Sequence, residues 1–78
     1  MNVTVLVRPK DGILDPQGEA IAQGLAALGF PVASVRAGKV FDVELEVDDR
    51  AEADRIAGEL AERALANGLI EGWEVQPA

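Results

Sequence analysis

The sequence predicts an α+β domain in which an antiparallel sheet carries two helices on one face. Three observations predict it. Apolar residues fall at every second position in several short stretches, the period of a half-buried strand. Between them lie two stretches whose apolar residues recur every three or four, the period of an amphipathic helix. Each helical stretch has a capping residue in front and a glycine behind. The 78 residues contain no linker, internal repeat or low-complexity segment, so one domain over 1–78 is expected.

Val3, Val5 and Val7 alternate with Asn2, Thr4 and Arg8 and make the first strand. Leu6 breaks the pattern on the outer face; it is either one ordinary exposed leucine or the mark of a surface that a partner covers. Arg8-Pro9-Lys10-Asp11-Gly12 is a turn-rich stop. Asp15-Pro16 opens the first helix: the carboxylate accepts from free backbone N–H groups, and proline suits the first helical position. Ile21, Leu25 and Leu28 form its apolar stripe, Gly29 ends it and Pro31 prevents its continuation.

From Val32 the period returns to two, with Ala33, Val35 and Ala37 opposite Ser34 and Arg36. Gly38-Lys39 reads as a two-residue hairpin turn with Gly38 at positive φ. The next strand places Phe41, Val43, Leu45 and Val47 on one face and Asp42, Glu44 and Glu46 on the other. Asp49-Arg50-Ala51-Glu52 has the form of a capping box. Behind it, Ala53, Ile56, Ala57, Leu60 and Ala64 form the stripe of a second helix that Asn67-Gly68 terminates. A short last strand is weakly marked around Trp73-Glu74-Val75. The order β-α-β-β-α-β is that of the ferredoxin-like, or split βαβ, arrangement.

Hydrophobic residues make up 49% of the chain, the composition of a globular protein. A core this small gains little net stability, and with no cysteine to form disulfides, self-association is the remaining common support. The net charge of −7 repels phosphate backbones and anionic lipid, so neither nucleic acid nor membrane is an expected partner. No apolar run is long enough to span a bilayer, and the start lacks the pattern of a signal peptide. A cytoplasmic location is the expectation.

The side-chain inventory argues against catalysis. The chain has no His, Cys or Tyr, and Thr4 and Ser34 are its only hydroxyl side chains. Ser–His and Cys–His nucleophile pairs are excluded, as is a zinc site of imidazole or thiolate. The carboxylates Asp42, Glu44, Glu46, Asp48, Asp49, Glu52 and Asp54 match no EF-hand spacing and read as a solvated face rather than a magnesium or calcium site. No glycine run forms a phosphate-binding loop. Gly18, in the first turn of the first helix, permits close approach, and Gly24 reads as close helix–sheet packing. Arg8, Lys10, Arg36 and Lys39 are either ordinary solubilising residues or a cationic patch for a phosphate or a partner's carboxylates. Trp73 either covers one end of the core or anchors an interface.

Three stretches resemble the signatures of one family. Leu14-Asp15-Pro16-Gln17-Gly18 is similar to its LDPQG run, Val35-Arg36-Ala37-Gly38-Lys39 to its VRxGK run, and Leu65-Ala66-Asn67-Gly68-Leu69-Ile70-Glu71 to its LLANxxIE ending. The family is PurS, the small subunit of phosphoribosylformylglycinamidine (FGAM) synthase, and the resemblance covers nearly the whole chain. It implies a non-catalytic subunit in de novo purine biosynthesis that bridges a glutaminase subunit and a large synthetase subunit and supports ammonia transfer. It implies no cofactor on this chain, ATP and magnesium being used by the synthetase, and self-association through the sheet as a dimer or tetramer. By the same resemblance Asp15, Pro16, Gln17, Gly18, Arg36, Gly38 and Lys39 form a partner- or substrate-facing surface, with no catalytic residue and no metal ligand. Two alternatives stay open. A stand-alone ACT-like module that binds an amino acid shares the element order and would use Lys10-Asp11-Gly12 as its ligand loop. A small acidic enzyme is the other.

Overall fold

The computed structural model describes residues 1–77. Strand β1 (Asn2–Pro9) is followed by helix α1 (Pro16–Ala27), strand β2 (Lys39–Glu44), helix α2 (Arg50–Leu60) and strand β3 (Glu71–Pro77). The three strands form one sheet in the order β2-β1-β3, and both pairings are antiparallel. This is the expected α+β class.

The alternation in β1 works as the period-two pattern requires. Val3, Val5 and Val7 are completely buried on the inner face. Directly paired residues share a face, so Val43 and Phe41 of β2 and Val75 and Trp73 of β3 join them. Above β1 runs α2, whose Ala53 and Ala57 are completely buried, as is Ala61 one turn on. Methyl side chains every fourth residue let the helix backbone approach the central strand closely. Ile56 and Leu60 flank that line and are half-buried.

Beyond Leu60 the helix widens over Ala61–Leu65, where the Ala66 N–H donates to the Ala61 carbonyl at 3.0 Å. A wider turn advances less per residue. The core-facing position therefore passes to Leu65, and Ala64, expected on the apolar stripe, is exposed. The indole of Trp73 lies over Gly58 and is 42% exposed. Among the described residues no helix is long and apolar enough to cross a membrane.

Several expectations need correction in detail. Residues 32–37 have no strand pairing, so within one chain the order is β-α-β-α-β. Apolar alternation specifies which face is covered but supplies no neighbouring strand to complete a ladder. Gly38 is not at positive φ and makes no hairpin turn; the left-handed glycines are Gly12 and Gly29, the latter ending α1 as expected. Asp49 makes no side-chain cap, and the Glu52 carboxylate pairs with Arg55 at 2.9 Å, so neither half of the capping box forms. The weakly marked last strand is a full seven residues.

The largest difference concerns α1. It packs extensively neither on the sheet nor on α2, and Gly18 is its only buried residue. With residues 32–37 it forms an arm that extends the molecule to 48 × 24 × 13 Å. The radius of gyration is 15.5 Å, against about 11–12 Å for a compact chain of this length. Gly24, expected in helix–sheet packing, faces open space.

Candidate functional site

The base of the arm is a joint built from two of the three signature stretches. Asp15 is its pivot. One carboxylate oxygen accepts the Gly18 N–H at 3.0 Å and caps α1; the other accepts the Ala37 N–H at 2.7 Å and ties the returning chain to the same point. These two bonds, assisted by the nearby Arg36 charge, hold the Asp15 carboxyl below its ordinary range against the opposing effect of partial burial. Pro16 occupies the start of the helix.

Gly18 and Gly38 are explained by space. A Cβ on Gly18 would run into the Val35 carbonyl oxygen and lie 2.5 Å from an Asp15 carboxylate oxygen. A Cβ on Gly38 would lie 2.5 Å from the Val7 carbonyl oxygen. Both glycines therefore permit backbone contact, the first between α1 and residues 35–37, the second between that segment and β1.

Arg36 closes the joint from the other side. Its guanidinium donates to the Asp11 carboxylate at 2.6 Å and to the Pro9 carbonyl. The third signature stretch joins here as well. The Lys10 backbone N–H donates to the Ile70 carbonyl at 2.9 Å, and its ammonium donates to the Gly68 carbonyl at 2.7 Å. Glu71 accepts the Asn67 N–H at 2.7 Å. All three stretches thus meet at one end of the sheet, where β1 finishes.

Gln17 and Lys39 are exposed and line a shallow cleft at this end, together with Ile13, Leu14 and Ile70. Leu14 is 73% exposed, and Leu69 beside Ile70 is 85% exposed. On the opposite side Arg8, Lys10 and Arg36 line a groove that reaches Trp73. The expected cationic residues are thus brought to one end, although Arg36 and Lys10 are engaged within the chain. The sequence reading missed the apolar rim of Ile13, Leu14, Leu69 and Ile70. Its available signal was a set of large apolar residues outside every helix or strand stripe.

The carboxylates that line the cleft, Asp15 and Glu71, accept hydrogen bonds from the chain's own backbone. The cleft presents apolar surface together with the ammonium of Lys39. The carboxylate-rich segment lies elsewhere. Asp42 accepts from Thr4 on the outer sheet face at 3.1 Å, and Asp54 and Glu52 pair with Arg50 and Arg55 along α2.

The family model described as PurS, phosphoribosylformylglycinamidine (FGAM) synthase, matches residues 2–78. The chain belongs to the PurS family. The PurS subunit of FGAM synthase from Mycobacterium leprae is 46% identical over 74 residues, covering 94% of this chain and 87% of that one. Its counterpart from Archaeoglobus fulgidus is 38% identical over 76 residues, covering 96% and 95%. A solved structure of PurLQS from Thermotoga maritima contains a chain that superposes with a TM-score of 0.87 at 30% identity, covering 96% of this chain and 93% of that one. Two of the three stretches that resemble PurS signatures thus build the arm's joint, and the third abuts it through Lys10.

Proposed function

We propose that this chain is the assembly subunit of an FGAM synthase, holding a glutaminase subunit and a large synthetase subunit together and supporting ammonia transfer between them. The observation that carries this reading is the convergence of all three signature stretches at one end of the sheet. Their polar groups are used on one another, and what faces outward is apolar surface beside Lys10 and Lys39. Such a surface fits a protein partner with an apolar seat and acidic rim better than a small polar substrate. The absence of His, Cys and Tyr fits a chain that leaves ATP, magnesium and glutamine chemistry to its partners. PurS from the Thermotoga maritima PurLQS structure supports the choice of partners.

In this reading Gln17 and Lys39 face a partner directly, while Asp15, Pro16, Gly18, Arg36 and Gly38 hold that surface in place. The ACT-like alternative loses support from the same geometry. Lys10 and Asp11 are committed to Gly68 and Arg36, so the turn has no free charged pair for an amino-acid ligand.

Light scattering on the three purified chains tests the proposal. The expected result is one species containing both larger subunits when this chain is present, and separate subunits when it is omitted. Equal association of the larger subunits without it would contradict the assembly role.

A further inference from the structure

The turn that leads from the widened helical end into β3 holds the one Asn-Gly pair of the chain, Asn67-Gly68. Both residues are exposed. Nothing in the fold calls for glycine at 68: its φ is not positive, and a Cβ built there meets no atom within 4 Å. The missing side chain does leave the Gly68 backbone nitrogen open to a close approach. The neighbouring electrophile is the Asn67 side-chain amide, and bond formation between the two closes a five-membered ring.

The hydrogen bonds of the turn favour that closure at both reacting groups. Among the described residues the Gly68 N–H donates to no acceptor, so the nucleophile is unprotected. The carbonyl of the same peptide unit, that of Asn67, accepts the Ile70 N–H at 3.1 Å and the Glu71 N–H at 2.7 Å. Two donors on that oxygen stabilise the negative charge left when the Gly68 nitrogen loses its proton. On the electrophile, Oδ1 of Asn67 accepts the Leu69 N–H at 3.1 Å, which steadies the amide and polarises its carbonyl toward attack. The Lys10 ammonium, 2.7 Å from the Gly68 carbonyl, adds positive charge beside the turn. The opposing charge is Glu71, whose carboxylate accepts the Asn67 N–H.

We infer that Asn67 is a self-modification site that converts through a succinimide to aspartate and isoaspartate. Solvent base removes the Gly68 N–H proton. The nitrogen bonds to the side-chain carbonyl carbon of Asn67, and the bond to Nδ2 breaks as that nitrogen takes up a proton and leaves as ammonia. Water then opens the ring at either carbonyl. Opening at the main-chain carbonyl gives isoaspartate, in which the backbone runs through the former side chain and gains one carbon. The lengthened turn moves the Gly68 carbonyl off the Lys10 ammonium and the Ile70 carbonyl off the Lys10 N–H. Conversion therefore unties residues 65–71 from the end of β1. This site stands or falls independently of the assembly role.

Peptide mapping tests the inference. Trypsin places Asn67 in peptide 64–78, whose other side-chain amide, Gln76, precedes Pro77 and so meets no backbone N–H. Asn2, before the branched Val3, falls in peptide 1–10 and is the internal control. After incubation of the folded chain at mildly alkaline pH, mass spectrometry is expected to show amide-to-acid conversion in peptide 64–78 and not in 1–10. Isoaspartyl methyltransferase is expected to label the product. Gly68→Ala, which the open space accommodates, is expected to slow conversion about tenfold or more. In the isoaspartate form amide exchange is expected to quicken at Lys10 while Val5 stays protected. Conversion in urea but not in the folded chain, an equal rate in Gly68→Ala, or unchanged exchange at Lys10 would each overturn the inference.

Discussion

Asp15 serves two backbone donors with one carboxylate, which makes it the residue on which the arm's position depends most directly. An amide at this position keeps a single acceptor oxygen. Asp15→Asn is therefore expected to retain the Gly18 cap and lose the Ala37 bond, speeding amide exchange at Ala37 while β1 stays protected. The sign of the pH effect follows from the carboxyl being held below its ordinary value of 3.8. Its contribution is present above that pH and is lost as pH falls through the lower value in the folded chain. Acid titration of Ala37 exchange should show this loss in the native chain and not in Asp15→Asn.

Gly18 gives a steric counterpart. Gly18→Ala places a methyl group against backbone and is expected to destabilise the arm by about 1–3 kcal/mol, measured by urea unfolding of α1 signals. Arg36 combines two roles. Arg36→Glu is expected to abolish assembly with the larger subunits while the sheet stays folded. Because the substitution also breaks an exposed ion pair worth at most about 1 kcal/mol, Asp11→Ala separates the two effects. If Asp11→Ala disrupts assembly equally, Arg36 acts through the joint; if it does not, the guanidinium itself faces the partner.

Among the elements, β1 and α2 form the stable unit. Val5 is completely buried in the central strand, so Val5→Ala is expected to cost about 2 kcal/mol in denaturant unfolding. Ala57→Leu would force α2 away from β1, with a cost of about 1–3 kcal/mol. These elements were legible because local pattern and tertiary role coincide: the alternation of Val3, Val5 and Val7 gives both the strand and its buried face. Residues 32–37 show where that coincidence ends. Their alternation reads as a strand, yet no strand forms there, because a ladder partner lies outside the information in the pattern. For α1 the cap at Asp15 and the stop at Gly29 were readable, whereas its separation from the sheet was not, because an apolar stripe carries no address for the surface that covers it. A shared cationic end was one of two readings of Arg8, Lys10, Arg36 and Lys39; the commitment of Arg36 to Asp11 and Pro9 depends on a joint formed between distant stretches.

At the scale of the whole molecule, an acidic sheet-and-helix body carries a nearly uncharged arm, and the stretches that resemble PurS signatures lie where the two meet. In that placement Asp15 and Arg36 are hydrogen-bonded within the chain and fix the geometry of the joint. The body holds the packed core, and the arm leaves it at the end where the three stretches meet. The most direct test is synthetase activity of the two larger subunits with glutamine or with added ammonia, measured with and without this chain. Coupling by this chain predicts that glutamine supports turnover only when it is present, while ammonia supports turnover in its absence. Glutamine-dependent turnover that is the same with and without the chain would contradict that role.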